Sequence, residues 1–369
     1  MTVTIAAAAE AEKTMDFGIQ LATSAHSWQV AQRAEALGFT HAWFYDTQLL
    51  NADMFVAMAA AAMQTTRIRL GTGVLIPSNR IAPSAANALA SLNALAPGRI
   101  DFGVSTGFTA RRSMGLPAIT LARLEEYIRV VQGLLRGEMV EWSEEGGPHK
   151  IRFLNPELEL INLRDPMPLH VSAFGPRGRR LAAKLGAGWM VAARDAHGAR
   201  AALADMRKAW QEVGRAPQEL YATAFGGGSV LREGEGADSP RVKAQAGPAA
   251  AMIFHNFVEE AEFGSMGFPA PPPLKPALDA YRALYQGYEP EDARYLTVHR
   301  GHLMFLRPEE EPLVTGAAIR ALTFTGTRAE LVEGVRELEA AGFSQFGVHI
   351  RHGHEMAMLQ DWAEVFAKV

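Results

Sequence analysis

Residues 68–107 read IRLGTGVLIPSNRIAPSAANALASLNALAPGRIDFGVSTG and hold one complete unit of the fold. A short β-like run (68–74) ends in Gly71, Thr72 and Gly73; an alanine- and leucine-rich stretch (84–95) has helical spacing; Pro97 and Gly98 stop it; a second β-like run (99–104) follows. Parallel neighbours in a sheet need a long crossover between them, and a helix is the usual one. Strand, helix, turn and strand in this order therefore predict parallel strands covered by helices.

The same alternation runs outward in both directions. Before the block come a strand at 16–21, a helix at 28–37 stopped by Gly38, a strand at 41–45 and a helix at 53–64 with Asp53 as its N-cap. After it come a helix at 121–135, strands at 169–173, 189–192 and 219–224 with helices at 177–185 and 199–213 between them, then a helix at 328–341, a strand at 345–350 and a helix at 355–367. AQRAEALGFTHAWF (31–44) and VRELEAAGFSQFGV (335–348) share a helix, a Gly-Phe turn and a strand, as a closed ring of like units would show at its two ends. The fold class expected is an α/β (β/α)8 TIM barrel. An open doubly wound sheet is the alternative, although the first strand lacks the G-x-G-x-x-G turn of a dinucleotide fold.

Two stretches break the rhythm. Residues 137–166 are rich in turn formers and read as an irregular excursion, and 226–320 carry Gly and Pro clusters around helical pieces at 242–262 and 276–285. A structureless loop of that length is unexpected, so 226–320 read as a mostly helical insertion enclosing substrate over one end of the barrel. Residues 1–14, alanine-rich and without a secretory pattern, read as a loose N-terminal extension before a single domain at 15–369.

Composition narrows the function. The 369 residues carry a net charge of −4 with Lys and Arg scattered, so no nucleic-acid footprint is visible. The absence of cysteine removes disulfides, thiolate metal sites and thiol nucleophiles, and points to the cytoplasm. No apolar run approaches the ~20 residues of a membrane span.

Reactive groups in a parallel barrel stand where strands end. Asp46, at the second exit, reads as an acid, base or orienting carboxylate, or as a cap; its replacement by alanine is expected to reduce turnover more than stability. Gly71-Thr72-Gly73-Val74 and Ser105-Thr106-Gly107 let backbone approach a flat ligand, or serve as turn and cap. Gly175-Pro176-Arg177-Gly178 opens a helix and suits a phosphate, or is a loop with an arginine. His299 and His302 are three apart, but no carboxylate or third histidine stands near them at metal-ligand spacing, so no metal is expected there. His349, His352 and His354 lie near the last exit and read as substrate contacts or surface residues ahead of a zinc site. Phe254, Phe257, Phe263, Phe268, Tyr281 and Tyr285 suggest an apolar or aromatic pocket, or helical core.

Taken together, these exits resemble a known family. The 68–107 block is similar to that of the luciferase-like monooxygenases: a strand with G-T-G, a proline and arginine, an alanine-rich helix, L-x-x-L-x-P-G-R, then strand and G-x-G. WFYDTQLLNADMFVAMAAAAMQTTRIRLG (43–71) resembles the methylenetetrahydromethanopterin-reductase-like branch, where an aspartate ends the second strand. VSAFGPRGRRLAAKLGAGWMV (171–191) resembles the phosphate loop, keeping Gly188 but with Gly186-Ala187 replacing the usual aspartate.

The resemblance implies a non-prolyl cis peptide at Gly73-Val74 beneath a flavin ring, with Ser105, Thr106 and Gly107 bordering ring or phosphate and Gly175, Pro176, Arg177 and Gly178 holding the phosphate. Asp46, Ser105 and His302 are the catalytic candidates; His26, Gln48 and His299 are the candidate substrate contacts. The histidine that luciferase-type members carry after the second strand is replaced by Asp46-Thr47-Gln48, which favours the reductase-like branch. The function expected is an FMN-dependent monooxygenase acting with O2 on a small apolar or aromatic molecule and, lacking an NAD(P) fingerprint, served by a separate flavin reductase. The alternatives are an oxidoreductase using the deazaflavin coenzyme F420, and an inactive flavin-binding homologue. A homodimer or higher homo-oligomer is expected.

Overall fold

Eight parallel strands close into a barrel in this computed structural model, which describes residues 15–144, 146–264 and 271–369. The strands are β1 (Asp16–Leu21), β2 (His41–Phe44), β3 (Arg69–Thr72), β4 (Ile100–Val104), β5 (Leu169–Ser172), β6 (Gly188–Ala192), β7 (Ala222–Gly227) and β8 (Gln345–Ile350). β1 pairs with β2 on one side (Ile19 opposite Ala42) and with β8 on the other (Ile19 opposite Val348), so the ring is closed and the open-sheet alternative fails. The expected extension at 1–14 and Phe268 lie outside the described residues.

The strands read as apolar runs because they are covered on both faces: all four residues of β2 and all five of β4 are buried. Around them lie α1 (Ser27–Ala36), α2 (Met54–Gln64), α3 (Ala82–Leu95), the short α4 (Phe108–Arg112), α5 (Leu121–Leu135), α6 (Pro176–Leu185) and α7 (Ala196–Glu212). Asp53 caps α2 by accepting from the Val56 amide at 3.1 Å. The two echoed units are α1–β2 and, after the insertion, helix Arg328–Ala341 with β8. Each turns at a glycine with positive φ, Gly38 at 90° and Gly342 at 95°, and buries the phenylalanine that follows.

Inside the barrel, Trp43, Met190 and Phe225 form a small core against which Val74 packs. Two glycines make room for it. A Cβ on Gly71 would stand 2.2 Å from the Trp43 ring, and one on Gly103 would stand 2.2 Å from the Thr72 carbonyl oxygen. Thr72 Oγ1 also donates to the Gly103 carbonyl at 2.6 Å and accepts from its amide at 2.9 Å, so β3 and β4 cannot part to admit a side chain without losing these bonds. Gly103→Ala should therefore cost about 3 kcal/mol of stability. Denaturant unfolding checks this, and a loss below about 1 kcal/mol would mean that the strands yield freely.

Two sequence expectations are corrected. The stretch at 137–166 is not wholly irregular: Val140–Glu144 and Gly147–Ile151 form an antiparallel hairpin. Most of its described side chains are exposed, so no buried face imposes the alternation that would have announced it. The seventh strand, expected at 219–224, runs instead from Ala222 through Gly227. Its glycines look like loop, but Phe324 and Phe346 occupy the space a Cβ on Gly226 would need, and Ala249 that on Gly227.

The insertion after β7 is helical, as expected: α8 (Pro240–Val258), α9 (Glu260–Phe263), α10 (Lys275–Gln286), α11 (Arg294–Val298) and α12 (Gly316–Leu322) precede α13 (Arg328–Ala341) and α14 (Glu355–Phe366). It has an apolar core of its own, containing Val242, Phe254, Tyr281, Tyr285 and Ile319. Phe254, Tyr281 and Tyr285 are core and Phe257 packs against them, so for these four the core reading holds. No described helix is long and apolar enough to cross a membrane.

Candidate active site

A cavity of about 200 Å³ opens where the strands end, roofed by the insertion. One wall is the segment after β3. The Gly73–Val74 peptide is cis, and the Gly73 carbonyl accepts from Gln20 Nε2 at 2.8 Å. Gln20 Oε1 is buried and has no hydrogen-bond partner among the described residues. Beside it Ser105 donates to the Ser172 carbonyl at 2.9 Å, and Gly107 has φ +84°, with Ile76 where its Cβ would be.

Asp46 locks this wall in place. One carboxylate oxygen accepts the Ile76 amide at 2.9 Å and the other accepts from Arg80 Nη1 at 2.8 Å, while Arg80 also bridges to Asp53. The carboxylate is buried, so removing it strands the Ile76 amide and leaves the half-buried Arg80 guanidinium with only the more exposed Asp53. The structure thus adds a stability role to the turnover role expected of it: Asp46→Ala should cost about 3 kcal/mol and weaken ring binding. Melting together with a binding titration checks this; unchanged stability would confine Asp46 to the chemistry.

The opposite edge is β8. The Tyr45 hydroxyl and His349 Nδ1 lie 2.6 Å apart. Burial, with Arg351 nearby, pulls His349 down to about 3, and burial pushes the Tyr45 phenol up. Both groups therefore stay neutral across the physiological range. The roof contributes Met252 and Asn256 from α8 and His302, Leu303 and Met304 from the turn after α11. His302 lies well below its usual value, through burial and then the neighbouring His299 and His255.

Of the expected site residues, Asp46, Gly73, Val74, Ser105, Gly107 and His302 line the cavity together. Thr106 adjoins them, its carbonyl accepting the Ile119 amide. Gly175 caps α6, Pro176 is its first residue and Arg177 is exposed there; with Gly178 they lie just beyond Phe174, which lines the rim. Gln48 does not line the cavity: its amide donates to the Ala110 carbonyl and its oxygen accepts from Asn79. Nor do His26, exposed at the start of α1, or His299, buried behind His302. Sequence reasoning missed Gln20 and Tyr45. A polar residue inside a buried strand was the available signal for Gln20; for Tyr45 it was its place next to Asp46.

A larger cavity, about 710 Å³, lies at the other end of the barrel. Its polar groups serve one another: Asp101 pairs with Arg69 and His170, and Tyr221 donates to Asp16 at 2.8 Å. Catalytic groups in this fold stand at the other end, where the strands finish.

Residues 9–345 match the family model described as luciferase-like monooxygenase. The chain is 28% identical over 230 residues to 5,10-methylenetetrahydromethanopterin reductase of Methanolobus tindarius, covering 61% of this chain and 68% of that one. It is 37% identical over 140 residues to F420-dependent glucose-6-phosphate dehydrogenase of Beutenbergia cavernae, covering 36% of this chain and 40% of the other. Among solved structures, coenzyme F420-dependent tetrahydromethanopterin reductase from Methanopyrus kandleri superposes with a TM-score of 0.64 at 18% identity, covering 95% and 97% of the two chains. The FMN-bound oxygenating constituent of 3,6-diketocamphane monooxygenase from Pseudomonas putida does so at 0.64 and 14%, covering 96% and 99%. At these identities the structural likeness is one of fold. The chain belongs to the luciferase-like monooxygenase family and is an oxidoreductase that works with a flavin-type cofactor.

Proposed function

We propose that this protein is an F420-dependent oxidoreductase that transfers a hydride between the deazaflavin and the carbon of a carbonyl or hydroxyl group on a small apolar substrate. The residues present fit a flat ring with a phosphate-bearing tail. Gln20 Oε1 is a buried acceptor beside the Gly73–Val74 peptide, without a partner among the described residues. A Cβ at Gly175 would meet nothing within 4 Å, so the α6 N-terminus is open to an anion. When bound, F420 supplies a two-electron hydride donor or acceptor and no oxygen chemistry.

The observation that carries this reading is the neutral Tyr45–His349 pair at the cavity edge. With the Tyr45 hydroxyl donating to Nδ1, the single proton of the imidazole stands on Nε2. A neutral imidazole N–H is a hydrogen-bond donor for a carbonyl oxygen that gains negative charge as hydride arrives at its carbon, and the oxygen takes up one proton from water at the cavity mouth, or gives it back there when the alcohol is oxidised. Val74, Ile76, Phe108 and Phe174 shield the reacting groups from water and select an apolar substrate. The relatives named for F420-dependent activity support the choice of cofactor.

The second reading, an FMN-dependent monooxygenase fed by a partner reductase, is supported by the likeness to the FMN-bound monooxygenase component. Anaerobic titration of the purified protein with F420 and with reduced FMN separates the two. F420 should bind more tightly and lose its visible absorbance when an apolar secondary alcohol is added, with no oxygen uptake in air. Preferential binding of reduced FMN, followed by oxygen consumption and an oxygenated product, would overturn the proposal.

A further inference from the structure

Three histidines from separate parts of the insertion meet above the cavity: His255 on α8, His299 just after α11, and His302 in the following turn. All three are buried. They face one another through Nδ1, with His302 Nδ1 lying 3.1 Å from that of His255 and 3.4 Å from that of His299. Three nitrogens bound tetrahedrally at ~2.0–2.1 Å from a zinc ion stand about 3.3 Å from each other.

The outer nitrogens show which lone pairs face inward. His255 Nε2 and Glu310 Oε1 are hydrogen-bonded at 2.7 Å; His299 Nε2 lies 2.9 Å from Glu259 Oε1 but out of line, so neither of those two atoms has a hydrogen-bond partner among the described residues. His302 Nε2 is 3.4 Å from Thr109 Oγ1. A carboxylate facing Nε2 keeps the proton there and leaves a lone pair on Nδ1; it is the usual outer partner of a metal-bound histidine. His255 therefore turns an Nδ1 lone pair towards His302, the Glu259 carboxylate beside His299 Nε2 favours the same tautomer there by its charge, and His302 has one proton at most to place between the two nitrogens. An ion at the shared point satisfies all three nitrogens.

The carboxylates are themselves held rigid. Glu259 pairs with Arg112 at 3.2 Å, and Glu310 accepts from Arg307 at 2.7 Å and from Tyr281 at 2.6 Å. Because an arginine balances each carboxylate, the outer partners add no net charge, and a divalent ion would draw an electron-rich fourth ligand. Among the described residues no carboxylate or thiolate joins the trio as that ligand. His302 lines the mouth cavity, so an outside ligand has a way in.

We propose that His255, His299 and His302 bind one divalent transition-metal ion of the zinc class through their Nδ1 atoms, leaving a fourth position for water or an oxygen of a ligand in the mouth cavity. The site goes beyond the cofactor reading and does not depend on which ring binds. Sequence spacing hid it, because the third histidine comes from a helix far away in the chain.

The test uses full-length protein stripped with a chelator and then titrated with Zn(II) and, separately, with Co(II). About one equivalent of zinc should survive dialysis, X-ray absorption should count three imidazole nitrogens at ~2.0–2.1 Å, and Co(II) should give tetrahedral visible bands. His302→Gln should retain at least about tenfold less metal at unchanged far-UV circular dichroism. No stoichiometric retention by the wild-type protein, fewer than three imidazoles around the ion, or full retention by the folded variant would overturn the proposal. If His302→Gln does not fold, the wild-type X-ray absorption decides alone.

Discussion

Replacing His349 with alanine should lower turnover by about 10²–10³-fold, the usual cost of losing one preorganised donor at a developing oxyanion. On the proposed reaction, cofactor affinity should change little, because His349 lies across the cavity on β8, away from the α6 N-terminus proposed for the phosphate. The imidazole can do this only as a fixed tautomer, and the Tyr45 hydroxyl 2.6 Å from Nδ1 fixes it. Tyr45→Phe should therefore give a smaller loss of the same kind. Since the ring is held down to about 3, wild-type turnover should show no histidine step between about pH 5 and 8. Steady-state kinetics with saturating cofactor measure both effects. Undiminished turnover in His349→Ala would remove it from the chemistry, and a step near pH 6.5 would make it a titrating base instead of a neutral donor.

Stability should fall as the solution is acidified, beginning well above the carboxylate range. His349 titrates at about 3 and His41 at about 4 in the folded chain, both below the ordinary 6.5. Burial is the first cause for each; at His41, Arg69 and His170 push the same way against Asp101 and Asp16. Between pH 6.5 and those values the unfolded chain takes up protons that the folded chain refuses, so stability present above pH 6.5 drains away as pH falls. Each histidine should contribute a loss on the order of 3 kcal/mol by pH 4. Below that, Asp101 extends the decline: burial raises its carboxyl, but hydrogen bonds from His170 and Arg69 outweigh this and hold it below its usual value, so its share is lost as it is protonated. Denaturant midpoints at pH 7.5, 5.5 and 4.5 test the slope, and His349→Ala should flatten part of it. A midpoint constant over that range would refute the assignment of neutral buried histidines.

The barrel was legible because its signals are local. Apolar runs covered on both faces, glycine stops and caps such as Asp53 recur at each unit, and the paired Gly-Phe turns show α1–β2 and α13–β8 to be like parts of one ring. Glycine was the ambiguous letter. Gly226 and Gly227 read as loop yet belong to β7, because a glycine marks a turn or a close approach equally well until Phe324, Phe346 and Ala249 are seen against it.

The strand exits could be located from the chain itself, and with them Asp46, Gly73, Val74, Ser105 and Gly107, since barrel topology brings every exit to one rim. Residue type and order determined that much. What each group does was decided by partners distant in sequence: Arg80 and Ile76 turn Asp46 into a clamp, Tyr45 and His349 meet from β2 and β8, and His255 reaches His299 and His302 through the folding of the insertion. Hydrogen bonds, tautomers and proton affinities depend on distances of a few ångströms and on exclusion of water, and these exist only after the chain has closed on itself.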